Sequence, residues 1–308
     1  MSSKKSTNGR FILLRATFRA LEYAAPSVGA RMLDRAWFRL PVVPEHVQRL
    51  RVELPPGTPV EAALNGRTVR GTAWGSGPTV YLFHGWGGWA LQLAAFVPPL
   101  LESGFRVIAF DVPSHGASDP GEFGPGTSTM PEFADALRAM IAAHGPAYGV
   151  VAHSFGAAAT TLALAEGLSA RRVVYLSAAT DFATALGHFR RMLGFGPRIE
   201  RRFRRRFIRR IGRPLETFEV VRIIDELVEE RDLPSLLAIH DRGDAETPYT
   251  GSEQIAKVWP GARLELTAGL GHNRILRDPL VVLSVTDFLS TDQAVAAAAE
   301  PARETMPG

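Results

Sequence analysis

A serine with the surroundings of an enzymatic nucleophile stands at residue 154, in the stretch VVAHSFGAAATTLALAE (150–166). The residues before Ser154 form a short apolar run typical of a buried strand, and those after it favour a helix. On a sharp strand-to-helix turn a serine hydroxyl stands clear of the backbone, provided that the residues two positions before and after it are small. Ala152 and Gly156 meet that requirement, although the usual pattern G-x-S-x-G has glycine at the first of these positions. Taken alone, the stretch predicts either a nucleophile or a buried serine at a helix N-cap.

A histidine and two acids follow this serine and supply the groups that a serine nucleophile needs. A serine hydroxyl reacts poorly without a general base within hydrogen-bond reach, and histidine suits that role near neutral pH. His272, which follows Gly271, is the candidate base among the eight histidines. Asp181 and Asp244 precede it and are the candidates for the carboxylate that orients its ring. The chain order is therefore Ser…Asp…His.

The elements that position these residues are predicted from short apolar runs that alternate with helical stretches. The runs interpreted as buried strands span residues 79–85, 106–112, 147–154, 171–179, 235–241 and 262–269. The alternation predicts an α/β fold with a mostly parallel central sheet and helices on both faces. Functional groups of such a sheet gather at the carboxyl ends of its strands, and Ser154, Asp244 and His272 all follow predicted strands.

The chain around this sheet has a predicted organisation of its own. Residues 1–45 are expected to form a basic, helical N-terminal extension with a break at Pro26. A domain of residues 46–290 follows, and its helical insertion at about 180–232 interrupts the strand alternation. Residues 291–308 are expected to be a disordered tail. Two earlier strands are predicted from alternating apolar and polar residues, at 47–54 and 68–74.

Composition excludes several classes of protein. The chain has 308 residues, 46% of them hydrophobic, and no cysteine, which excludes disulfides, zinc–thiolate sites and a cysteine nucleophile. No apolar run approaches the roughly twenty residues of a membrane span, and the N-terminus lacks the apolar core of a secretory signal, so a cytoplasmic location is expected. P-loop, dinucleotide and metal-ligand patterns are lacking, so neither a cofactor nor a metal is expected.

Four groups of residues, each at a predicted strand end, give the chain a family resemblance over roughly residues 70–290. They are FHGWGG, FDVPSHGASD, AHSFGAA, and the pair HDRGDAETP with GLGHNRIL. In this order they resemble the loops of the α/β-hydrolase superfamily, many of whose members have a lid or cap inserted over the active site. Alanine at position 152 is a known variant of the family's nucleophile turn. The resemblance therefore favours the nucleophile interpretation of Ser154.

The family's acid loop has a counterpart in HDRGDAETP, and the resemblance assigns the acid to Asp244. Asp181 is the alternative, because some family members place the acid after the earlier strand. The sequence departs from the family at Asp241, where glycine is usual. A second carboxylate so close is expected to raise the pKa of either one.

The family's oxyanion hole uses two backbone N–H groups, and the resemblance assigns them to Phe155 and Trp86. Gly87 allows that loop to approach a substrate closely. His84 and His115 belong to the family loops and are expected to fix the backbone by hydrogen bonds. The aromatic residues expected to line an apolar acyl pocket are Trp89, Phe182 and Phe189.

The function predicted on these grounds is a serine hydrolase that cleaves carboxylic esters or thioesters of small molecules through an acyl-enzyme. The alternative is a catalytically silent hydrolase-fold scaffold that holds an acidic partner or an anionic membrane surface. A fluorophosphonate probe separates the two, because only an activated serine reacts with it.

The predicted insertion contains a helix of unusual charge, GPRIERRFRRRFIRRIG (196–212). Its apolar residues recur every four positions, at Ile199, Phe203, Phe207 and Ile211. One interpretation is a solvated cap helix whose apolar stripe packs on the hydrolase body. The other is contact with anionic lipid headgroups or a polyanionic substrate, as a peripheral membrane protein would make. Nucleic acid is not expected, because no recognised binding module accompanies the charge.

Overall fold

A computed structural model describes residues 2–49 and 52–299, and its described strands form one sheet. The strands are β1 (Thr58–Leu64), β2 (Arg67–Trp74), β3 (Thr79–Phe83), β4 (Arg106–Asp111), β5 (Ala147–His153), β6 (Ala170–Leu176), β7 (Ser235–Asp241) and β8 (Arg263–Thr267). They lie in the order β1-β2-β4-β3-β5-β6-β7-β8. The pairs β1–β2 and β2–β4 are antiparallel, and the remaining neighbours, from β4–β3 to β7–β8, are parallel. The predicted fold class, a mostly parallel sheet, is confirmed.

Helices cover both faces of this sheet. They are α1 (Ser2–Ala24), α2 (Pro26–Phe38), α3 (Glu45–Gln48), α4 (Val97–Glu102), α5 (Met130–His144), α6 (Phe155–Ala165), α7 (Phe182–Leu193), α8 (Pro197–Ile211), α9 (Val220–Glu230), α10 (Tyr249–Val258), α11 (Gly271–Arg274) and α12 (Pro279–Ala299). Short 3₁₀ turns span Ala90–Phe96, Leu215–Phe218 and Ile275–Arg277. The break between α1 and α2 falls at Pro26, as expected, because proline has no N–H for the preceding turn.

The core consists of two apolar layers that the sheet separates. Successive side chains of a strand point to opposite faces. In β3, Tyr81 and Phe83 therefore join one buried cluster, whereas Val80 and Leu82 join the other. Every residue of β3 is buried, which explains why its sequence is a continuous apolar run rather than an alternating one.

The strand predicted at 47–54 is wrong. Glu45–Gln48 is the short helix α3, and residues 50–51 lie outside the described part of the chain. The strand that precedes β2 lies instead at Thr58–Leu64, and it pairs with β2 through a tight turn at Asn65 and Gly66. Both turn residues have positive φ, 50° and 78°, which is the backbone of a two-residue hairpin and the reason for an Asn-Gly pair there.

The insertion between β6 and β7 contains α7, α8 and α9, and it packs against the N-terminal helices. The ring of Trp37 in α2 lies 4.8 Å from the Phe182 ring, 5.1 Å from Phe189 and 5.3 Å from Phe203. Gly29 of α2 faces Ile199 of α8 so closely that a Cβ there would collide with it. The predicted apolar stripe of α8 is therefore buried against α2 of the extension.

A carboxylate from α1 fixes the beginning of α8. Glu22 is 6% exposed and accepts hydrogen bonds from the N–H groups of Gly196, Arg198 and Ile199, at 2.7–3.1 Å. The first N–H groups of a helix have no partner within the helix, so the carboxylate satisfies them. Its negative charge also interacts favourably with the positive end of the helix dipole. The extension and the insertion therefore form one covering layer over the sheet domain.

At the other end of the chain, α12 runs through position 291, where the tail was expected to begin, and residues 300–308 lie outside the described part.

Candidate active site

Ser154 lies in the turn that joins β5 to α6. Its φ of 53° and ψ of −117° are strained for a residue with a side chain, at a cost on the order of 1–3 kcal/mol. Backbone hydrogen bonds hold the turn: the Ser154 N–H donates to Leu176 O at 2.9 Å, and Ser154 O accepts from the N–H groups of Ala157 and Ala179. A Cβ on Gly156 would lie 2.6 Å from His84 O, so glycine is required there, whereas the Ala152 methyl fits the core.

A continuous chain of hydrogen bonds links Ser154, His272 and Asp244. His272 Nε2 lies 3.1 Å from Ser154 Oγ, and His272 Nδ1 lies 2.7 Å from Asp244 Oδ2. A ring with its proton on Nδ1 satisfies both contacts, because Nδ1–H donates to the carboxylate and Nε2 accepts from the hydroxyl. The three residues come from the ends of β5, β7 and β8, which are the carboxyl ends of parallel strands.

The Asp244 carboxylate is surrounded by hydrogen-bond donors. Its Oδ1 accepts from the N–H groups of Glu246 and Thr247, at 2.8 and 2.9 Å, and Oδ2 accepts from the Thr247 hydroxyl at 3.1 Å. His240 Nε2 lies 3.3 Å from the same Oδ2. Burial alone raises the pKa of Asp244, but the hydrogen bonds from His240, His272 and Thr247 outweigh it and hold the pKa well below its ordinary value. The carboxylate therefore stays ionised at neutral pH.

Asp241 has a separate role that its position beside Asp244 did not reveal. It is fully buried, its Oδ1 accepts from Gly243 N–H, and its Oδ2 accepts from the Thr267 hydroxyl and Leu270 N–H at 2.8–2.9 Å. Burial raises the pKa of Asp241, but these donors outweigh it and leave the pKa below its ordinary value. The expectation that two neighbouring carboxylates raise each other's pKa is wrong here. Asp241 instead ties the loop of Asp244 to the loop of His272.

Asp181, the alternative acid, lies at the beginning of α7. Its carboxylate accepts from the N–H of Thr184 and from the Thr180 hydroxyl, so it is the N-cap of that helix. The carboxylate that accepts from His272 Nδ1–H is that of Asp244.

The loop after β3 is held by two neutral histidines. His84 Nδ1–H donates to Gly85 O at 2.8 Å and its Nε2 accepts from Val112 N–H, whereas His115 Nε2 accepts from Gly87 N–H at 3.1 Å. Burial lowers the pKa of His84 to about 4 and that of His115 to about 3. Both rings therefore act as fixed donors and acceptors at neutral pH, in accordance with the backbone role expected of them.

The two predicted oxyanion donors flank the Ser154 turn. Phe155 is the first residue of α6, so its N–H has no carbonyl partner within the helix. The Trp86 and Phe155 rings are in edge-to-face contact at 5.3 Å, and a Cβ on Gly85 would lie 3.0 Å from the Ser154 Cβ. The backbone that precedes Trp86 therefore lies directly against the Ser154 side chain.

Two further histidines, for which no role was predicted from the sequence, support the site. His153 Nε2–H donates to His272 O at 3.0 Å, and burial lowers its pKa to about 3, so it fixes the backbone of His272 as a neutral ring. His240 is buried, its Nδ1 accepts from the Ser252 hydroxyl at 2.7 Å, and its Nε2 faces Asp244. The signals that would have indicated them are their places in the chain, directly before Ser154 and at the end of β7.

Ser154 and His272 line a cleft of about 730 Å³, called here the Ser154 cleft. Trp86 and Trp89 form part of its wall, as expected for Trp89. The remaining wall includes a segment between α2 and β1 that sequence reasoning missed. The residues of that segment which line the cleft are Pro41, Val43, Val47, Gln48, Arg49 and Val52.

Phe182 lines a different space, a chamber of about 90 Å³ under the insertion, called here the aromatic chamber. Trp86 and Phe155 line it from the sheet side, and Trp37 lines it from α2. The third expected pocket residue, Phe189, packs against the Trp37 ring. Trp86 lines both the Ser154 cleft and the aromatic chamber, so the two spaces meet at this residue.

Within residues 2–49 and 52–299, no group of three or more His, Asp or Glu side chains is arranged to hold a metal ion. A search of the described helices finds none long and apolar enough to cross a membrane.

Comparisons with known proteins agree with this architecture. A model of the alpha/beta hydrolase family matches residues 80–285. A search of curated proteins found no match. The chain is similar to a solved serine hydrolase involved in carbazole degradation, with 18% identity, a TM-score of 0.55, and coverage of 79% of this chain and 100% of the other.

Two further solved structures have the same fold. The esterase RhEst1 from Rhodococcus sp. ECU1013 is 18% identical, with a TM-score of 0.52 over 76% of this chain and 98% of its own. A thioesterase domain from the curacin biosynthetic pathway is 15% identical, with a TM-score of 0.56 over 77% of this chain and 100% of its own. At these identities the likeness concerns the fold.

Proposed function

The chain belongs to the alpha/beta hydrolase family, and we propose that it is a serine hydrolase that cleaves carboxylic esters or thioesters through an acyl-enzyme. The observation that carries the proposal is the chain of hydrogen bonds from Ser154 Oγ through His272 to Asp244. A buried serine that only capped a helix would need neither an acceptor imidazole nor an ionised acid behind it.

In the proposed reaction, Ser154 Oγ attacks the substrate carbonyl carbon while His272 Nε2 takes the hydroxyl proton. The tetrahedral intermediate collapses to the acyl-enzyme, and the imidazolium gives that proton to the departing alcohol or thiol. Water then attacks the acyl-enzyme with the same proton transfers and releases the acid. Asp244 holds the Nδ1–H tautomer and stabilises the imidazolium, a role suited to its lowered pKa.

The charge that develops on the carbonyl oxygen is stabilised in this proposal by the N–H groups of Phe155 and Trp86. Support comes from the rigidity of both segments. The Phe155 N–H begins α6, and the loop of Trp86 is held on either side by the histidine contacts of Gly85 and Gly87. Donors fixed before the reaction need no reorganisation when the charge appears.

The proposed substrates carry a small apolar acyl group. The aromatic chamber adjoins the Ser154 cleft at Trp86, and aromatic and aliphatic side chains form most of its wall. Its volume of about 90 Å³ is below the roughly 150 Å³ of an engineered apolar cavity that holds benzene. The wider Ser154 cleft, at about 730 Å³, is left for the alcohol or thiol part.

Labelling with a fluorophosphonate probe tests the reaction type. We expect rapid labelling of the wild type, none of Ser154→Ala, and unchanged labelling of Ser103→Ala. The Ser103 hydroxyl donates to Pro99 O, and Ser103 does not line the Ser154 cleft. An unlabelled wild type, or equal labelling of Ser154→Ala, would instead favour the silent scaffold.

A series of p-nitrophenyl esters of increasing acyl length tests the substrate class. We expect kcat/KM to be highest for short acyl groups and to fall once the acyl chain outgrows the aromatic chamber. Phe182→Ala enlarges that chamber and is expected to shift the optimum to longer chains. An optimum that is unchanged in this variant would contradict the proposed place of the acyl group.

A second candidate role is contact of α8 with an anionic membrane surface, because Arg201, Arg205 and the 40%-exposed Ile208 lie on its outer side. Arg204 is paired with Glu200, so it is a poor reporter of this contact. We expect Arg201→Gln/Ile208→Ser to sediment less than wild type with vesicles that contain 30% phosphatidylserine. The control Arg222→Gln/Lys257→Gln removes two exposed charges elsewhere. Equal sedimentation of all three proteins would contradict the contact.

A further inference from the structure

A groove between α2 and α8, called here the arginine groove, concentrates positive charge on the covering layer. Its main part has a volume of about 610 Å³, and an adjoining hollow of about 270 Å³ continues it along α8. The arginines that line the two parts are Arg31, Arg35, Arg39, Arg202, Arg205, Arg206, Arg209 and Arg210. Asp34 is the one acidic residue in these linings. The sequence showed the arginines of α8, but the fold adds those of α2 to the opposite wall.

The single acid cannot balance this charge. Asp34 is 4% exposed, and its Oδ2 lies 3.0 Å from Arg210 and 3.7 Å from Arg206. Among the described residues, no carboxylate lies within 4 Å of the guanidinium groups of Arg31 or Arg205. Like charges held this close on two packed helices repel one another, and a bound polyanion would remove that cost.

Two donors of the arginine groove, Arg206 and Arg210, are held in place before any ligand arrives. The Arg210 guanidinium contacts two aromatic rings, 4.4 Å from the centre of Phe38 and 4.2 Å from that of Phe123. Asp34 draws Arg206 towards the same position. Planar guanidinium groups present paired N–H donors that match the oxygens of a phosphate, and fixing them in advance reduces the entropy lost on binding.

The arginine groove is a neighbour of the Ser154 cleft. The extended segment after α2 separates them: Arg39 and Val42 line the groove, whereas Pro41 and Val43 line the cleft. Val42 is 90% exposed, so the rim between the two spaces is open to solvent.

We propose that the arginine groove is a binding site for a phosphate-bearing ligand. A phosphate monoester carries nearly two negative charges at neutral pH and offers three acceptor oxygens, which suits many arginines and one acid better than a single carboxylate does. Such a group has two sources, a soluble phosphate compound or the headgroup of an anionic phospholipid. The site is independent of the proposed ester hydrolysis, because none of its arginines contributes to the hydrogen-bond chain of Ser154.

Calorimetric titration with inorganic pyrophosphate at low ionic strength tests the soluble source. We expect Arg31→Gln/Arg35→Gln, on α2, and Arg205→Gln/Arg209→Gln, on α8, each to weaken binding at least about tenfold, as the loss of charge-assisted hydrogen bonds predicts. The control Arg222→Gln/Lys257→Gln makes the same change in net charge on exposed residues of α9 and α10 and should bind as wild type does.

Sedimentation with phosphatidylcholine vesicles that contain 20% phosphatidic acid tests the headgroup source with the same variants. If the wild type binds these vesicles but not pyrophosphate, and the α2 variant loses vesicle binding, the groove is assigned to a lipid headgroup. Pyrophosphate binding that is lost in that variant assigns it to a soluble compound. The proposal is overturned if the wild type binds neither probe, or if the α2 variant binds both as well as the wild type and the control.

Discussion

The edge of the sheet at Ser154 and the covering layer of α2 and α8 differ in how their charged and polar side chains are balanced. At the sheet edge, short polar side chains lie next to backbone donors and acceptors, and buried histidines remain neutral with pKa values lowered to about 3 or 4. In the covering layer, long cationic side chains line a groove that contains one buried acid, Asp34.

Short side chains whose hydrogen bonds are all satisfied hold a fixed geometry, whereas long cationic side chains without enough acids around them favour binding of an anionic partner. Asp244 receives hydrogen bonds from four neighbouring groups, so its place is determined before any substrate is present. Arg31 and Arg35 are exposed on α2, where a guanidinium keeps its rotational freedom and its hydration. Mutations should therefore affect function sharply at the sheet edge and gradually in the covering layer.

The largest effect that would test this contrast is a loss of activity, and it is expected from replacing Asp244. Asp244→Asn should lower kcat for the best ester by about ten-thousandfold, because the amide favours the wrong imidazole tautomer. Asp181→Asn is the matched control, and it should stay near wild type since asparagine also caps a helix. Steady-state kinetics of the two variants decide between the acids. A loss in Asp181→Asn as large as that in Asp244→Asn would reverse the assignment.

The next largest expected effect is the pH dependence of stability that the neutral histidines cause. His84, His115 and His153 have folded pKa values below their ordinary value of 6.5. Between about pH 6.5 and pH 4 only the unfolded state binds protons at these rings, so the free energy of unfolding falls as the pH falls. Lowering the pH from 7.5 to 5.5 should cost about 4 kcal/mol, or about 1.4 kcal/mol for each ring.

Urea unfolding at the two pH values measures that difference. His153→Gln should reduce the pH dependence by one ring's share, because glutamine replaces the donor without titrating. His188→Gln, at an exposed position of α7, is the control and should leave the dependence unchanged. A pH dependence that is the same in His153→Gln as in wild type would show that this ring is not neutral in the folded protein.

A smaller effect is expected at the joint between α1 and α8. Glu22→Ala removes the acceptor of three N–H groups and should lower the free energy of unfolding by about 2 kcal/mol. Glu22→Gln keeps one carbonyl oxygen and should lose less. Urea unfolding measures both, and fluorophosphonate labelling should be unchanged in both. Wild-type stability in Glu22→Ala would mean that the N-terminal helices contribute little to the covering layer.

The smallest effect is expected from the surface pair Glu200 and Arg204, at 3.0 Å on successive turns of α8. Glu200→Gln should change the free energy of unfolding by less than about 1 kcal/mol, since solvent screens the exposed arginine. The same urea measurement checks it. A loss as large as that in Glu22→Ala would contradict the gradual response expected of the covering layer.

The sequence predicted the parallel strands and the edge at which polar residues gather because both follow from local patterns. A buried parallel strand is a continuous apolar run, and a strand-to-helix turn needs small neighbours, as Gly156 has beside His84. Interpretation failed between α2 and β2, where VQRLRVEL alternates like a strand but begins within the helix α3. Alternation alone cannot distinguish a strand from an irregular segment, and the Asn65-Gly66 turn was the better signal.

What the sequence determined by itself is the fold class, the strained position of Ser154, the order of serine, acid and histidine, and the apolar stripe of α8. Each depends on residues close together in the chain, where spacing decides the outcome. The packing of distant segments is what places Asp244 against His272 and leaves Asp181 as the N-cap of α7. It also brings His240 and His153 to the site and seats the apolar stripe of α8 on α2. These contacts join groups from distant parts of the chain. The partner of a carboxylate therefore depends on which donors the fold places around it.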